Sequence, residues 1–329
     1  MTAVQDTAAA DTAAQDYREK LRTLSEGSVR VSFEAFKDIP WDDPEYAIDP
    51  KDPRWVLPAA DLLGGHEWYR ALPLERQVEI GIARQANICK VGWQFENVLI
   101  KGVLDYLLDR PNGDPEFRYL MHEVTEETHH IQMFQEFVNR TGVDVPGGAT
   151  WFRVGQSLLP VFARIIPEVF FTGILAGEEP IDHLQKSVLR SGYDMHPLLL
   201  RIMQIHIAEE ARHISFAHEY LARRVPALPG ARRMMLSLAF PVIMRVLCDV
   251  IMKPPRSFIK AYGIPDHVVK DLFWGHPTSA KLLRDFFADV RILAEESGLM
   301  NPVSRRVWQA LRIDGRPARF RGEPAPQSA

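Results

Sequence analysis

The sequence predicts an all-α fold, a four-helix bundle core with additional helices, on three observations. No credible pair of strands appears in the 329 residues, apolar positions recur at helical spacing over several long segments, and the pentapeptide Glu-Glu-x-x-His occurs twice. The copies are Glu126-Glu127-Thr128-His129-His130 and Glu209-Glu210-Ala211-Arg212-His213. Residues three apart on a helix lie on one face about a turn apart. Glu127 with His130, and Glu210 with His213, can therefore each grip one ion from a rigid helix. Two such helices point to a two-metal site.

Taken in order, the elements fit that core. Residues 1–15 hold Ala, Thr, Asp and Gln with no arginine and no apolar run, so they are expected to be a disordered tail without a targeting signal. A single helical domain is expected over 16–314, with its metal-binding core at about 73–224, followed by a second tail at 315–329. The stretch from Gly27 to Leu72, rich in Pro, Asp and Trp, reads as a long ordered wrap over the bundle. A first core helix is expected from Pro73 to Leu108, stopped by the turn signal Pro111-Asn112-Gly113. A second runs from Pro115, capped by Asp114, to about Asn139, with Gly142 beyond it. From Trp151 to Leu189 the pattern stays helical and apolar, with kinks or breaks at Pro160, Pro167 and Pro180. The fourth helix spans Pro197 to Arg224. Further helices are expected at Arg232–Met252, Pro265–Phe273, Ser279–Ser297 and Val303–Leu311.

Composition excludes several functions. A net charge of -4 gives no basic excess for a polyphosphate partner, so nucleic acid is not expected. Cys89 and Cys248 are too few for a disulfide framework or an iron-sulfur site and read as reduced core thiols in a cytoplasmic protein. The segment Met234–Met252 imitates a membrane span, but Arg245, Asp249 and Pro241 favour a core helix, part of which could line a pocket.

The expected ligands are Glu96, Glu127, His130, Glu178, His206, Glu210 and His213. Glu96 lies among Trp93, Phe95, Leu99 and Ile100, where a carboxylate needs a partner. Glu178 and Glu179 are adjacent and only one can face the metal. Helical phase favours Glu178, which shares its face with Phe171, Ile174 and Ile181, and leaves Glu179 as the alternative. His206 lies four residues before Glu210 and extends the second motif into a stripe of three ligands. Glu126 and Glu209 are read as neighbours of the ligands, and Arg212 as a group that pairs with a carboxylate across the bundle. His122, His129 and His218 are read as core or surface residues. Oxygen ligands mixed with imidazole suit iron, with manganese able to substitute, and the lack of thiolate argues against structural zinc. Two divalent ions would neutralise four carboxylates, as a buried site requires.

With these residues assembled, the chain resembles the p-aminobenzoate N-oxygenase (AurF) family of ferritin-like di-iron enzymes, over roughly Pro73 to Arg224. In that family a Glu, a Glu-x-x-His, a further Glu and a His-x-x-x-Glu-x-x-His bind two irons. Glu96, Glu127 with His130, Glu178 or Glu179, and His206, Glu210 and His213 correspond. The third histidine separates this family from the desaturases and bacterial multicomponent monooxygenases. A radical-generating reductase subunit would want a tyrosine where Phe134 stands. In one respect the chain departs from the p-aminobenzoate enzyme. An arginine five residues before the first ligand Glu and a tyrosine eight before are here Val91 and Ile88, which removes a clamp for a carboxylate substrate.

The resemblance implies a monooxygenase that binds dioxygen as a peroxo bridge between two irons and inserts oxygen into an arylamine or similar apolar substrate. It also implies a homodimer. An external electron donor of the ferredoxin or reductase type is expected, since no flavin or nicotinamide fingerprint is present. A di-iron oxidase, hydroxylase or desaturase of aliphatic or acyl chains is the alternative enzyme, and an iron-storing ferroxidase the alternative of another class.

Overall fold

A computed structural model describes residues 2–318. Those residues contain helices, turns and loops and no strand. The chain opens with α1 (Thr2–Arg30), continues through the short α2 (Glu67–Arg70), and then builds its core from α3 (Leu74–Leu107), α4 (Pro115–Thr141), α7 (Pro167–Arg190) and α8 (Pro197–Arg224). Between α4 and α7 lie two short helices, α5 (Thr150–Gly155) and α6 (Val161–Ile165). After the core come α9 (Gly230–Met252), α10 (Arg256–Ala261), α11 (Asp266–Lys270), α12 (Pro277–Phe286), α13 (Ala288–Glu296) and α14 (Ser304–Ala310).

The boundaries follow local chemistry. Asp114 accepts a hydrogen bond from the Glu116 amide and Pro115 supplies the first turn of α4, a cap of about 1 kcal/mol. Gly142, at a φ of 66°, closes that helix in the left-handed conformation a glycine adopts without strain. Pro160 and Pro167 break the chain between α5, α6 and α7, but Pro180 sits inside α7 without ending it. The run expected as one helix at 279–297 is two, parted at Phe287, and the one expected over 265–273 begins at Asp266 and continues past Lys270 as a π-helical turn at Asp271–Gly275, kinked at Phe273 and Trp274.

In the core, α3 packs along α4 and α7 along α8, with α9 laid on α7 and α1 across α4 and α8. The sequence gives weak warning of α1, whose helix begins inside the stretch expected as a tail and buries Tyr17, Leu21 and Leu24 in its second half. Tyr17 and Tyr106 both donate to the buried Glu116 carboxylate, at 2.8 and 2.5 Å. The wrap is ordered as expected. Trp55 stacks on His196 with ring centres 4.3 Å apart, and Asp61 takes the buried Arg84 guanidinium at 3.0 Å. The second expected tail falls largely outside the described residues.

One described helical stretch, from Gly230, is long and apolar enough to cross a membrane by length and composition, yet only 39% of its most apolar window is buried. Phe240, Met244 and Cys248 pack inward as a core helix requires. Met234, Met235, Val242 and Val246 are exposed.

Candidate metal centre

The four core helices bring the acidic and imidazole side chains together at their middle. Glu96, His130, His206 and Glu210 form one buried group whose ligand atoms lie within 4.8 Å of one another. Glu127, Glu178, Glu210 and His213 form a second on the same terms, and Glu210 belongs to both. Every residue named from the sequence is therefore present. Glu178 and Glu179 separate cleanly: Glu178 joins the second group with both oxygens free of hydrogen bonds, whereas Glu179 receives His218 Nε2 at 2.5 Å.

The histidines are oriented from behind. His130 Nε2 donates to Glu209 Oε2 at 2.8 Å, and His213 Nε2 donates to Glu126 Oε2 at 2.7 Å. The first glutamate of each motif thus holds the histidine of the other, across the bundle. His206 Nδ1 donates to the amide oxygen of Gln185 at 2.9 Å. Carboxylate and amide oxygens only accept in these pairs, so the outer ring nitrogen carries a proton, which leaves the inner nitrogen as the one able to ligate a metal when the ring is neutral. The inner atoms face the acids: His130 Nδ1 is 3.6 Å and His206 Nε2 3.3 Å from Glu210 Oε1, and His213 Nδ1 is 2.9 Å from Glu127 Oε1. Bonds of this kind from behind fix a ring's tautomer and raise its strength as a ligand.

Arg212 ties the braces together. Its Nη2 donates to Glu126 Oε1 at 2.7 Å and lies 3.8 Å from Glu209 Oε1. Its Nε donates to Ser28 and its Nη2 to the Val31 carbonyl, while the Phe33 amide donates to Glu209 Oε1 at 3.2 Å. The end of α1 and the start of the wrap thereby close over the braces. The pairing of Arg212 with a carboxylate across the bundle is as the sequence led us to expect.

Glu123 and Gln185 were missed. Glu123 lies one turn before Glu127 on the same stripe and is fully buried, which the i, i+4 spacing could have signalled. Burial, with Glu127 and Glu210 nearby, pushes its carboxyl up to about 8. Nothing marked Gln185, because an amide on a half-apolar helix has no distinctive pattern.

The residues fit a pair of cations. Glu96 Oε2, Glu127 Oε1, Glu210 Oε2, His213 Nδ1 and both Glu178 oxygens are buried without a hydrogen-bond partner; the close approach of His213 Nδ1 to Glu127 lacks hydrogen-bond alignment. An unpaired buried charge costs several kcal/mol, so four carboxylates with so many bare atoms need cations among them. Within the protein's own field, protons compete for the place. Burial, reinforced by neighbouring acids, raises the Glu96 and Glu178 carboxyls. Burial opposes the charged forms of His130 and His213, but contacts with Glu127 and their bracing glutamates outweigh it and raise both. Burial also opposes ionisation of Glu127, yet His213 and His130 hold it low. His206, with only an amide behind it, is depressed by burial to about 4 and stays neutral.

A cavity of about 410 Å³ opens beside the groups, and Glu96, Glu127, Glu178, His206 and Glu210 form part of its wall. The remaining wall is apolar, including Phe95, Phe134, Phe170 and Ile174, apart from Gln85, Gln185 and the Cys89 thiol. No lysine or arginine among the described residues lines it.

Fold and site together define a helical-bundle protein with a buried carboxylate and histidine cluster able to hold metal beside an apolar cavity. Residues 14–298 match the family model described as P-aminobenzoate N-oxygenase AurF, and the chain belongs to that family. The match extends well beyond the stretch that carries the motifs, to α1 on one side and α13 on the other. Uncharacterized proteins of Mycobacterium bovis and of Mycobacterium tuberculosis strain H37Rv are each 54% identical over 312 residues, covering 95% of this chain and 92% of theirs. No solved structure matches the chain significantly.

Proposed function

We propose that the protein is a di-iron monooxygenase acting on a neutral, apolar substrate. Glu96, His130, His206 and Glu210 would hold one iron, Glu127, Glu178, Glu210 and His213 the other, with Glu210 common to both. The irons, once reduced by an external donor, would supply the activation of dioxygen and the insertion of oxygen into the substrate. Manganese satisfies the same donor chemistry and is the metal to test beside iron. The protein's own part is to orient and to exclude water. Glu126, Glu209 and Gln185 hold the three imidazoles with their lone pairs inward, and Arg212 fixes the two carboxylates. The aromatic wall around Phe134 and Phe170 binds substrate and keeps water from the reacting atoms.

The observation that carries this reading is that Glu96, Glu127, Glu178 and Glu210, each with a buried oxygen left without a partner, gather with three imidazoles in two overlapping groups able to hold metal. N-oxygenation of an arylamine is the reading closest to the family. With no lysine or arginine among the described residues on the cavity wall, a substrate without a carboxylate is favoured, and oxidation of an aliphatic or acyl chain is equally supported. Anaerobic reconstitution with iron, reduction, and exposure to oxygen in an optical cell tests the metal chemistry; product analysis on an arylamine panel and an acyl-chain panel separates the substrates. Two irons per chain and an oxygen-dependent spectral transient are expected. Iron well below that level with no transient would contradict the reading.

A further inference from the structure

The rim of the cavity is built from an apolar surface that the bundle does not use. From 150 to 165 the chain runs through α5, a 3-10 turn and α6, and its outward face carries Trp151, Val154, Leu158, Val161, Phe162 and Ile165. Apart from the adjacent Val161 and Phe162, successive members lie three or four residues apart, the spacing of one face of a helix. Trp151 is 60%, Val154 78%, Leu158 69% and Ile165 64% exposed. The opposite face already packs the core through the buried Phe152 and Ala163. The outward stripe is thus a second apolar face with nothing within the described residues to cover it. Beside it on the same rim, α9 exposes Val242 and Val246. Trp151, Phe162, Val242 and Val246 are at once exposed and part of the cavity wall, so the surface and the cavity are continuous.

Charge selects the occupant. Residues 145–167 contain two arginines and no acid, and residues 230–248 contain three arginines and no acid, within a chain of net charge -4. Arg153, Arg164 and Arg232 are exposed; Arg164 pairs with Asp109 at 2.9 Å, Arg245 with Asp249 at 3.2 Å, and Arg232 lies 4.0 Å from Glu168, so Arg153 and Arg233 are the arginines of these segments that no acid among the described residues neutralises. An apolar stripe flanked by cations on an acidic protein matches the surface of an anionic lipid bilayer, where apolar side chains enter the acyl boundary and arginines meet phosphate.

We infer that the protein docks on anionic membrane surfaces through the α5–α6 stripe and the adjoining face of α9, without spanning the bilayer. Docking seats the mouth of the cavity on the lipid, so an apolar molecule dissolved in the membrane passes into the cavity without crossing water. The inference depends on the surface alone and stands whether or not the centre holds iron.

The test is flotation of the full-length protein with vesicles of equal parts phosphatidylglycerol and phosphatidylcholine, and with vesicles of phosphatidylcholine alone. Wild type is expected to float with the anionic vesicles, and less so at high salt. The triple variant Val154→Ser, Leu158→Ser, Ile165→Ser removes three side chains outside the cavity wall. It should bind the anionic vesicles at least about tenfold more weakly, while its circular dichroism, iron content and sedimentation coefficient stay those of wild type. A Val154→Cys variant labelled with an environment-sensitive dye should shift to the blue on anionic vesicles, since Cys89 and Cys248 are buried and leave the label at one position. Wild type that stays in the aqueous phase would overturn the inference, as would a triple variant that floats equally well. Loss of a wild-type dimer in the triple variant, with no vesicle binding by wild type, would assign the surface to a second copy of the chain instead.

Discussion

The two Glu-Glu-x-x-His motifs are one pattern written on two helices, and the structure gives them unequal work. On α4, His130 is braced by Glu209 of α8; on α8, His213 is braced by Glu126 of α4. To that extent the helices exchange the same service, and the first glutamate of each motif acts for the other helix. The inequality lies in what each helix adds. The fourth position is His129 in one copy, accepting from the Ala35 amide at 3.4 Å, and Arg212 in the other, tying both bracing carboxylates to the wrap. The α8 helix also contributes His206, backed by a neutral amide, and Glu210, which belongs to both groups. A repeated motif therefore predicts a two-sided centre without predicting two equal sides.

Removing Glu210, the residue common to both groups, should have the largest effect. Glu210→Ala takes an oxygen from both groups, so we expect iron per chain to fall from about two to near zero and turnover to be lost, as read by metal analysis and product formation. Because Glu210 Oε2 is already unpaired, the variant should melt no lower than metal-free wild type. His206→Ala strikes one group only, and metal analysis should find about one iron per chain with the bundle intact. Glu178→Ala should behave similarly for the second group, whereas Glu179→Ala, which gives up a contact with His218, should keep its iron.

The exchange of braces makes a finer prediction. Glu209→Gln weakens the hold on His130, and Glu126→Gln the hold on His213, so each change in one motif should loosen the metal at the histidine of the other. A loss of about ten- to a hundredfold in affinity for one iron is expected, measured by competition with a chromophoric chelator.

The smallest effect concerns pH. Glu123 has its folded-state carboxyl raised to about 8, above its unfolded value, so its contribution to stability is complete below about pH 4.5 and is lost as pH rises through 8. The raised Glu96 and Glu178 act in the same direction. Chelator-treated protein should therefore show a melting temperature that falls from about pH 5 to pH 8, and iron loading should flatten the slope. A melting temperature that instead rises over that range would show that these carboxyls stay ionised in the fold.

Much of the candidate centre was legible in the sequence because its acidic and imidazole residues come from helices whose period is visible. Glu96, Glu127, His130, His206, Glu210 and His213 each lie on a long apolar stripe, and the phase of α7 placed Glu178 rather than Glu179 inward. The braces were only partly legible. Glu126 and Glu209 could be set beside the candidate ligands, but which histidine each one serves depends on how α4 and α8 face each other, and no local pattern holds that. Glu123 and Gln185 were hidden for the same reason. The fold's additions were harder still: α1 is polar over most of its length, and only its contacts with α4 and α8 distinguish it from a tail. The outward stripe of α5 and α6 has the periodicity of a core helix, so the sequence could count its apolar residues without telling which faced water.

Titration of iron into the reduced, metal-free protein, with wild type and His206→Ala run side by side, tests the unequal-motif account most directly. Two irons per chain binding with different affinities in wild type, and one retained in His206→Ala, is the predicted result. Two equal sites in wild type, or loss of both irons or neither in His206→Ala, would contradict it.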